Sequence, residues 1–299
     1  LDLETWESGT DLGELYGRLE REIEEAIRQE NRTLDRIREV VFPRLRNREG
    51  APKEAGVYQT RVTRIEELHR FLFSGQVEAC DGTSVVHDTL PITIAQIGVC
   101  LVSYHGEQGA WAHRLFRRDL RVGGLDPVDE ALELLERRQR RSGSDEKSRR
   151  DALSDLARRG IMTYAERAVL LHKSIAEWRM GHGNPAAYEL LTGSGMARLV
   201  DASLDLLSDL VLRHQKFIFV PSDFGNRMLL TIANALRPLE YAIIDTQQEY
   251  IEQLEQRGHY TGEWARLRSR LQEFAADVGS KIVVGAYRAS ALAPPRVFY

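Results

Sequence analysis

The chain has 299 residues, of which 42% are hydrophobic and 29% charged, so it can bury a full core as one large domain or two small ones. The net charge of −4 excludes a polycation, so any nucleic-acid binding needs local basic patches. The longest apolar run, 92–104, is too short to span a bilayer. Residues 1–16 are acidic and lack the apolar region of a secretory signal.

The two cysteines, Cys80 and Cys100, both lie within apolar, strand-like runs. Neither belongs to a CxxC motif or to a Cys/His spacing typical of zinc sites. We therefore expect buried free thiols rather than a disulfide or a metal site. This cysteine usage and the lack of a visible signal sequence predict a cytoplasmic protein.

The N-terminal part of the chain predicts helices. Apolar residues recur at helical spacing among Glu and Arg through 11–48, and Pro43 is expected to end this long helix. A helix of this kind suits an arm or a dimer contact, or a helix docked on the core. Residues 49–60 are predicted to form a polar loop, and 61–73 a short helix.

Apolar and alternating runs then predict a β-meander of three strands, 76–86, 91–104 and 109–119. Residues 126–159 are highly charged and are predicted to be helical. Their basic clusters are interleaved with acids, which favours a solvated face and leaves a phosphate-contacting surface as the alternative.

The rest of the chain alternates between predicted helices and strands, which is typical of an α/β protein with a mixed sheet flanked by helices. The predicted elements are helix 163–180, strand 186–192, helix 197–214, strand 217–220, helix 225–236, strand 239–244, helices 247–257 and 261–278, and strand 281–287.

Asp81 is the most informative polar residue, because an acid in an apolar strand is costly unless it is paired or binds a metal. One interpretation is an Asp-Gly hairpin turn formed with Gly82. Against a turn, the residues after Gly82 continue to alternate without an immediate return of the chain. The other interpretation is metal-assisted phosphodiester chemistry, since glycine allows a phosphate to approach closely.

Three further acids could supply the oxygen ligands that Mg²⁺ or Mn²⁺ draws from different elements. Glu166 ends a Thr-Tyr-Ala-Glu sequence, so it could instead close a capping box. Glu189 lies in an apolar run, where it could instead face water. Asp223 follows a predicted strand and could instead be the N-cap of the next helix.

Other chemistries find less support. The sequence contains no Walker A, GxGxxG, GxSxG or HExxH pattern, so common nucleotide-binding, serine-hydrolase and zinc-protease motifs are absent. The eight histidines are scattered, and none has the spacing of a zinc deaminase. Metal-assisted chemistry on carboxylates therefore remains the leading interpretation.

The segment 77–106 resembles the NurA family of nucleases. Bacterial members have a strand that ends in Asp-Gly-Ser or Asp-Gly-Thr, a polar stretch, and an apolar strand that closes near Tyr-Gly. The corresponding residues of this chain are Asp81-Gly82-Thr83 and Tyr104-His105-Gly106.

The family continues with a helical Glu and a strand that carries Asp-Gly-Ser-Leu. Glu166 within 164–168 is similar to the first feature, and 189–195 resembles the second. This chain departs from the pattern because Thr192 stands where the family has Asp, and the nearest acid is Glu189. Either Glu189 takes that role, or the site is degenerate.

The resemblance implies an RNase H-like core, a homodimer, and Mn²⁺- or Mg²⁺-dependent cleavage of DNA. It also implies a HerA-type hexameric DNA translocase as partner, in DNA end processing or antiphage defence. Asp81 would be the central metal ligand, with Glu166 and Glu189 completing the catalytic set and Asp223 as a further candidate.

We therefore expect an α/β fold with an RNase H-like mixed sheet and a long N-terminal helix. Residues 1–60 are expected to form a helical arm, and 61–299 the NurA-type domain with a charged helical insertion near 126–160. One alternative is a catalytically degenerate adaptor that docks on the ATPase ring and guides DNA. Another is a structural α/β interaction protein in which Asp81 is only a turn residue.

Overall fold

The computed structural model describes residues 12–88, 92–104, 111–120, 155–193, 197–222, 226–258 and 264–299, with the backbone alone for 111–120. Its α-helices are α1 (Leu12–Arg36), α2 (Val62–Leu72), α3 (Asp155–His172), α4 (Tyr188–Thr192), α5 (Ala197–Ser208), α6 (Arg227–Asn234), α7 (Gln248–Arg257) and α8 (Ala265–Asp277). Its strands are β1 (Gly56–Gln59), β2 (Val77–Asp88), β3 (Ile92–Ser103), β4 (Trp111–Leu120), β5 (Trp178–His182), β6 (Phe217–Val220), β7 (Glu240–Thr246), β8 (Val283–Arg288) and β9 (Arg296–Phe298).

A five-stranded mixed sheet forms the larger of two compact units, with the order β4-β3-β2-β5-β6. The meander β2-β3-β4 is antiparallel, whereas β2, β5 and β6 run parallel to one another. Counted along the chain, this order is 3-2-1-4-5, the RNase H-like arrangement. The predicted mixed α/β fold with a long N-terminal helix is therefore confirmed, and β2 lies at the centre of the sheet.

The core of this unit follows from the alternation of side chains along β3. From Ala95 onward every second residue is buried, while the residues between them are half-buried or exposed. The buried set is Ala95, Ile97, Val99, Leu101 and Ser103. Helix α3 packs against β2 and β3, so the apolar face of the meander is covered by a helix.

The second unit comprises residues 1–60, 225–245 and 285–297 and contains most of a four-stranded sheet with the order β1-β7-β8-β9. Arg38 anchors the end of the long helical segment within this unit. Its guanidinium donates to both carboxylate oxygens of Glu240, at 2.6 and 3.0 Å, and to the Ala235 carbonyl at 2.8 Å. This two-point contact raises the pKa of Arg38 and lowers that of Glu240, although burial opposes both shifts.

Three local predictions were wrong. The predicted helix 163–180 ends at His172, and its last part is strand β5. The predicted strand 186–192 contains helix α4, because a short apolar run has too few residues for its periodicity to separate a strand from a helix turn. The predicted loop 49–60 contains strand β1, which pairs with β7. The charged stretch near 126–160 lies largely outside the described residues.

Both cysteines are free thiols, as expected. Cys80 is buried, whereas Cys100 is only half-buried. No helix in the described ranges is both long enough and apolar enough to cross a membrane.

Gly181 in β5 provides a test of how β5 and β6 pack. A Cβ atom at this position would overlap the Phe219 ring of β6. We expect Gly181→Ala to lower the free energy of unfolding by about 2–3 kcal/mol, because a close-packed core cannot absorb the added methyl without moving the ring. Urea denaturation followed by circular dichroism measures this loss.

Gly98→Ala in β3 is the matched control. Among the side chains that the structure describes, its Cβ would meet only Thr83 Cγ2 at 3.5 Å, an ordinary van der Waals contact. We expect the free energy of unfolding of this variant to stay the same or to rise by about 0.5 kcal/mol, because alanine loses less conformational entropy on folding than glycine does. Equal losses in the two variants would contradict the packing of Phe219 against Gly181.

Candidate functional site

Asp81 lies inside a continuous strand rather than in a turn. It pairs with Cys100 of β3, and Gly82 pairs with Val99 in the same antiparallel ladder. The hairpin-turn interpretation of Asp-Gly is therefore wrong. The Asp81 side chain is 73% exposed, and its Oδ1 accepts the Gly82 backbone N–H at 2.9 Å, which fixes the orientation of the carboxylate.

The two neighbours of Asp81 in β2 face the core. Cys80 is buried and donates its Sγ–H to the backbone carbonyl of Glu166 at 3.3 Å. Burial is the largest cause that raises the pKa of this thiol, to about 12. Since side chains alternate along a strand, Gly82 faces α3 as Cys80 does, and Asp81 points to the opposite, solvent-facing side of the sheet.

Glu166 lies directly against Gly82. A Cβ atom at Gly82 would overlap Glu166 Oε1 and would approach Met162 Cγ to 2.8 Å. Helix α3 begins at Asp155, so Glu166 lies well inside the helix and is buried, and the capping-box interpretation is wrong. The missing side chain of Gly82 is therefore what lets this carboxylate approach the central strand.

Arg167 neutralises Glu166 and is itself fully buried. Its Nη1 donates to Glu166 Oε2, and its Nη2 donates to the backbone carbonyls of His182 at 2.9 Å and Asn184 at 2.8 Å. The guanidinium also lies over the Phe219 ring, 5.0 Å from its centroid. Arg167 thus joins α3 to the chain segment that leaves β5.

Burial has the largest effect on the pKa values of this ion pair. It raises the pKa of Glu166, Arg167 and His182 oppose the rise, and the charge of Asp81 adds to it. Burial also lowers the pKa of Arg167, against the attraction of Glu166. A carboxyl group with a raised pKa next to an exposed carboxylate is typical of functional sites, although structural ion pairs also produce it.

His182, the last residue of β5, is a site residue that sequence reasoning missed. Its Nδ1 lies 3.9 Å from Asp81 Oδ1. Its Nε2 accepts the backbone N–H of Ser222 at 3.2 Å and lies 3.0 Å from Ser222 Oγ. The predicted helix 163–180 covered the start of β5, and no element was predicted for 181–185, so the strand that carries His182 was not recognised. The one available signal was the Gly-His-Gly sequence, since glycines on both sides argue against a helix.

The structure does not place Glu189 beside Asp81. Glu189 lies on α4, where Oε1 is 3.9 Å from Arg159 Nε. Thr192, at the end of the same helix, donates its hydroxyl to the Tyr188 carbonyl. Asp223 is outside the described residues. Within the described ranges no three His, Cys, Asp or Glu side chains are arranged to hold a metal ion, so Asp81, Glu166 and Glu189 do not form one ligand set here.

The distance between Asp81 and His182 is one that two ligands of a single cation can have, but Nε2 of His182 accepts the Ser222 amide N–H, which leaves the proton of the neutral ring on Nδ1. Two ligand atoms about 2.1 Å from one ion are about 3 Å apart at a right angle and about 4.2 Å apart in line. The separation of 3.9 Å between Asp81 Oδ1 and His182 Nδ1 lies within this range. Mg²⁺ and similar ions commonly keep waters and substrate phosphates as their remaining ligands, so two protein ligands are enough to start such a site.

No protein-family model matches the chain, and no curated protein matches it. Among solved structures, it is similar to the NurA nuclease from Sulfolobus solfataricus, with 10% identity, 79% of this chain and 76% of that chain covered, and a TM-score of 0.37. A structure of NurA with manganese gives 9% identity, coverages of 90% and 87%, and a TM-score of 0.36. A structure of NurA bound to dAMP and manganese gives 14% identity, covers 82% of this chain and 41% of that chain, and has a TM-score of 0.23.

These structures belong to the family that the segment around Asp81 resembles.

The raised pKa of Glu166 predicts a pH dependence of stability. The folded protein keeps the Glu166 proton to a higher pH than the unfolded chain does. The stabilisation that comes from this protonated carboxyl group is therefore complete below about pH 4.5 and is lost as pH rises through the pKa of the folded state. We expect the free energy of unfolding of the wild type to fall relative to Glu166→Gln over this range, by about 1.4 kcal/mol per pKa unit. Urea titrations between pH 4 and 8 measure the difference.

Arg167→Met sharpens this test, because it removes the positive charge that opposes the rise in pKa. We expect a loss of about 3–5 kcal/mol near pH 7, a smaller loss near pH 4.5, and partial recovery in the double variant Arg167→Met/Glu166→Gln. A free energy of unfolding of the wild type that rises with pH relative to that of Glu166→Gln would contradict burial as the dominant influence.

Proposed function

We propose that this protein is a nuclease that hydrolyses DNA phosphodiester bonds with Mn²⁺ or Mg²⁺ at a site built around Asp81. The observation that carries the proposal is the position of this carboxylate. It lies exposed on the central strand of the mixed sheet, with His182 beside it and buried Glu166 next to the following glycine. An exposed acid fixed on a rigid strand is well suited to bind a cation and a phosphate together.

The chain's own residues would orient and bind the reacting groups. The Gly82 N–H holds one oxygen of Asp81, which leaves the other lone pairs of the carboxylate facing solvent. Glu166 would add negative charge beneath the strand, reduced by its contact with Arg167. A bound divalent cation would supply an activated water and stabilise the charge that develops on the phosphate.

The partners belong to the same proposal. The substrate would be DNA, and a HerA-type hexameric ATPase would deliver it to a homodimer of this chain, in end processing or antiphage defence. Support for this part comes from the resemblance of the sequence around Asp81 to NurA nucleases. A basic chain is not required, because phosphate contacts can be local when an ATPase holds the DNA.

A second candidate function is a non-catalytic adaptor with a nuclease-like fold. Two observations favour it: Arg167 occupies one oxygen of Glu166, and Glu189 lies with Arg159 rather than with Asp81. An adaptor would bind DNA and the ATPase ring without cleaving DNA. The two candidates differ in one measurable property, the cleavage of linear and circular DNA in the presence of Mn²⁺ or Mg²⁺.

Asp81→Asn tests the nuclease directly. We expect Mn²⁺-dependent cleavage to fall by about 100-fold or more, because the amide removes the charge that attracts the cation. The free energy of unfolding should change by less than about 0.5 kcal/mol, since the side chain is mostly exposed. Gel assays on linear and circular DNA, with and without a candidate ATPase, measure the activity.

Asp209→Asn is the matched control, because it removes one exposed acid that pairs with Arg213 one helical turn away. It should cleave DNA like the wild type. Retained cleavage in Asp81→Asn would reject the site. A wild type that binds DNA but does not cleave it under any of these conditions would favour the adaptor.

A further inference from the structure

We infer that the N-terminal part of α1 is a docking surface for a basic amphipathic helix of a partner protein. The inference concerns a part of the chain far in sequence from Asp81, and it does not depend on the nuclease proposal. The surface is an apolar stripe on α1, called here the α1 stripe, formed by Tyr16, Leu19, Ile23 and Ile27.

The α1 stripe is exposed over most of its length. Its members recur every three or four residues, so they share one face of the helix. Tyr16 is 67% exposed, Ile23 55% and Ile27 50%, and every residue from 20 to 30 is exposed. The same face continues to Leu34 and Ile37, which are half-buried. The described part of the chain therefore covers the C-terminal end of this face and leaves Ile23 and Ile27 in solvent.

The exposed part of α1 needs packing that its own residues do not supply. An isolated helix of this length is marginal in water, and helices in proteins owe most of their stability to the packing of an apolar face. The ion pairs Arg18–Glu22, at 3.9 Å, and Arg28–Glu24, at 3.1 Å, join exposed side chains and add little. A partner that buries the α1 stripe would supply this packing.

Charge identifies the chemistry of the partner. Residues 12–30 contain six acids and three arginines, a net charge of −3. Glu20 borders the α1 stripe, one residue after Leu19, and Glu30 continues it, three residues after Ile27. Among the described residues, neither carboxylate has an ion-pair partner. A helix with lysines or arginines beside its own apolar stripe would pair with both carboxylates and bury the α1 stripe.

The same charges disfavour other occupants. A second copy of α1 would bring acidic flanks against acidic flanks, which is unfavourable at close range. Nucleic acid and an anionic membrane surface are both negatively charged, so an acidic helix would repel them. A basic helix is the occupant that satisfies the apolar stripe and its acids together.

Binding of a synthetic helix tests the inference. The probe is a fluorescein-labelled peptide of about 20 residues, long enough to cover the exposed part of α1, with a leucine stripe flanked by lysines. One control peptide has glutamates in place of the lysines, and another has the same residues in scrambled order. By fluorescence anisotropy, we expect the lysine peptide to bind at least about tenfold more tightly than either control and to weaken as salt is raised.

Variants of the protein locate the peptide on α1. We expect Ile23→Asp to weaken binding of the lysine peptide by about tenfold or more, and Glu30→Lys by about threefold or more. Glu25→Lys is the matched control, because it makes the same change of charge on the opposite face of the helix and should bind within about twofold of the wild type. Circular dichroism checks that each variant folds.

Equal affinity for the lysine and glutamate peptides would overturn the inference, as would equal losses in Glu25→Lys and Glu30→Lys. Light scattering tests the competing occupant: if Ile23→Asp lowers the oligomeric mass of the protein, a second copy covers the α1 stripe and the inference fails. None of these measurements uses DNA cleavage, so the nuclease proposal stands or falls separately.

Discussion

The buried guanidinium of Arg167 is the constraint on which the site depends. It is an expensive group to bury, and it is stabilised by one carboxylate, two backbone carbonyls and an aromatic ring. These contacts come from α3, from the end of β5 and from β6. A single side chain therefore fixes the depth of Glu166 and the position of the segment that carries His182.

Two glycines in the strands of the sheet leave room for the side chains that surround Arg167. Gly82 gives Glu166 space beside the central strand, and Gly181 gives space to the ring that packs over Arg167. The result is a sheet with two different faces near Asp81. One face is closed around a neutralised ion pair, and the other presents a carboxylate and an imidazole to solvent. Because the ion pair is closed off on one face, the groups that can meet a ligand from solvent are those on the other face, Asp81 and His182.

Sequence reasoning succeeded where the signal is local and repeated. The long apolar alternations of β2 and β3 gave correct strands, and the helical spacing of α1 and α5 gave correct helices. It failed for β5, whose five residues are too few to show a period and follow α3 after a short connection. The error mattered, because His182 stands at the end of that strand. The contact between Glu166 and Gly82 was also hidden, since it joins residues 84 positions apart and leaves no spacing pattern.

The two thiols differ in a way that is useful for spectroscopy. Cys80 is buried with a raised pKa, so it should resist alkylating reagents, which attack the thiolate. Cys100 is half-buried and pairs across the ladder with Asp81, on the same side of the sheet. A fluorophore or spin label would therefore attach preferentially at Cys100. It would report on the solvent-facing side of the sheet without any engineered cysteine.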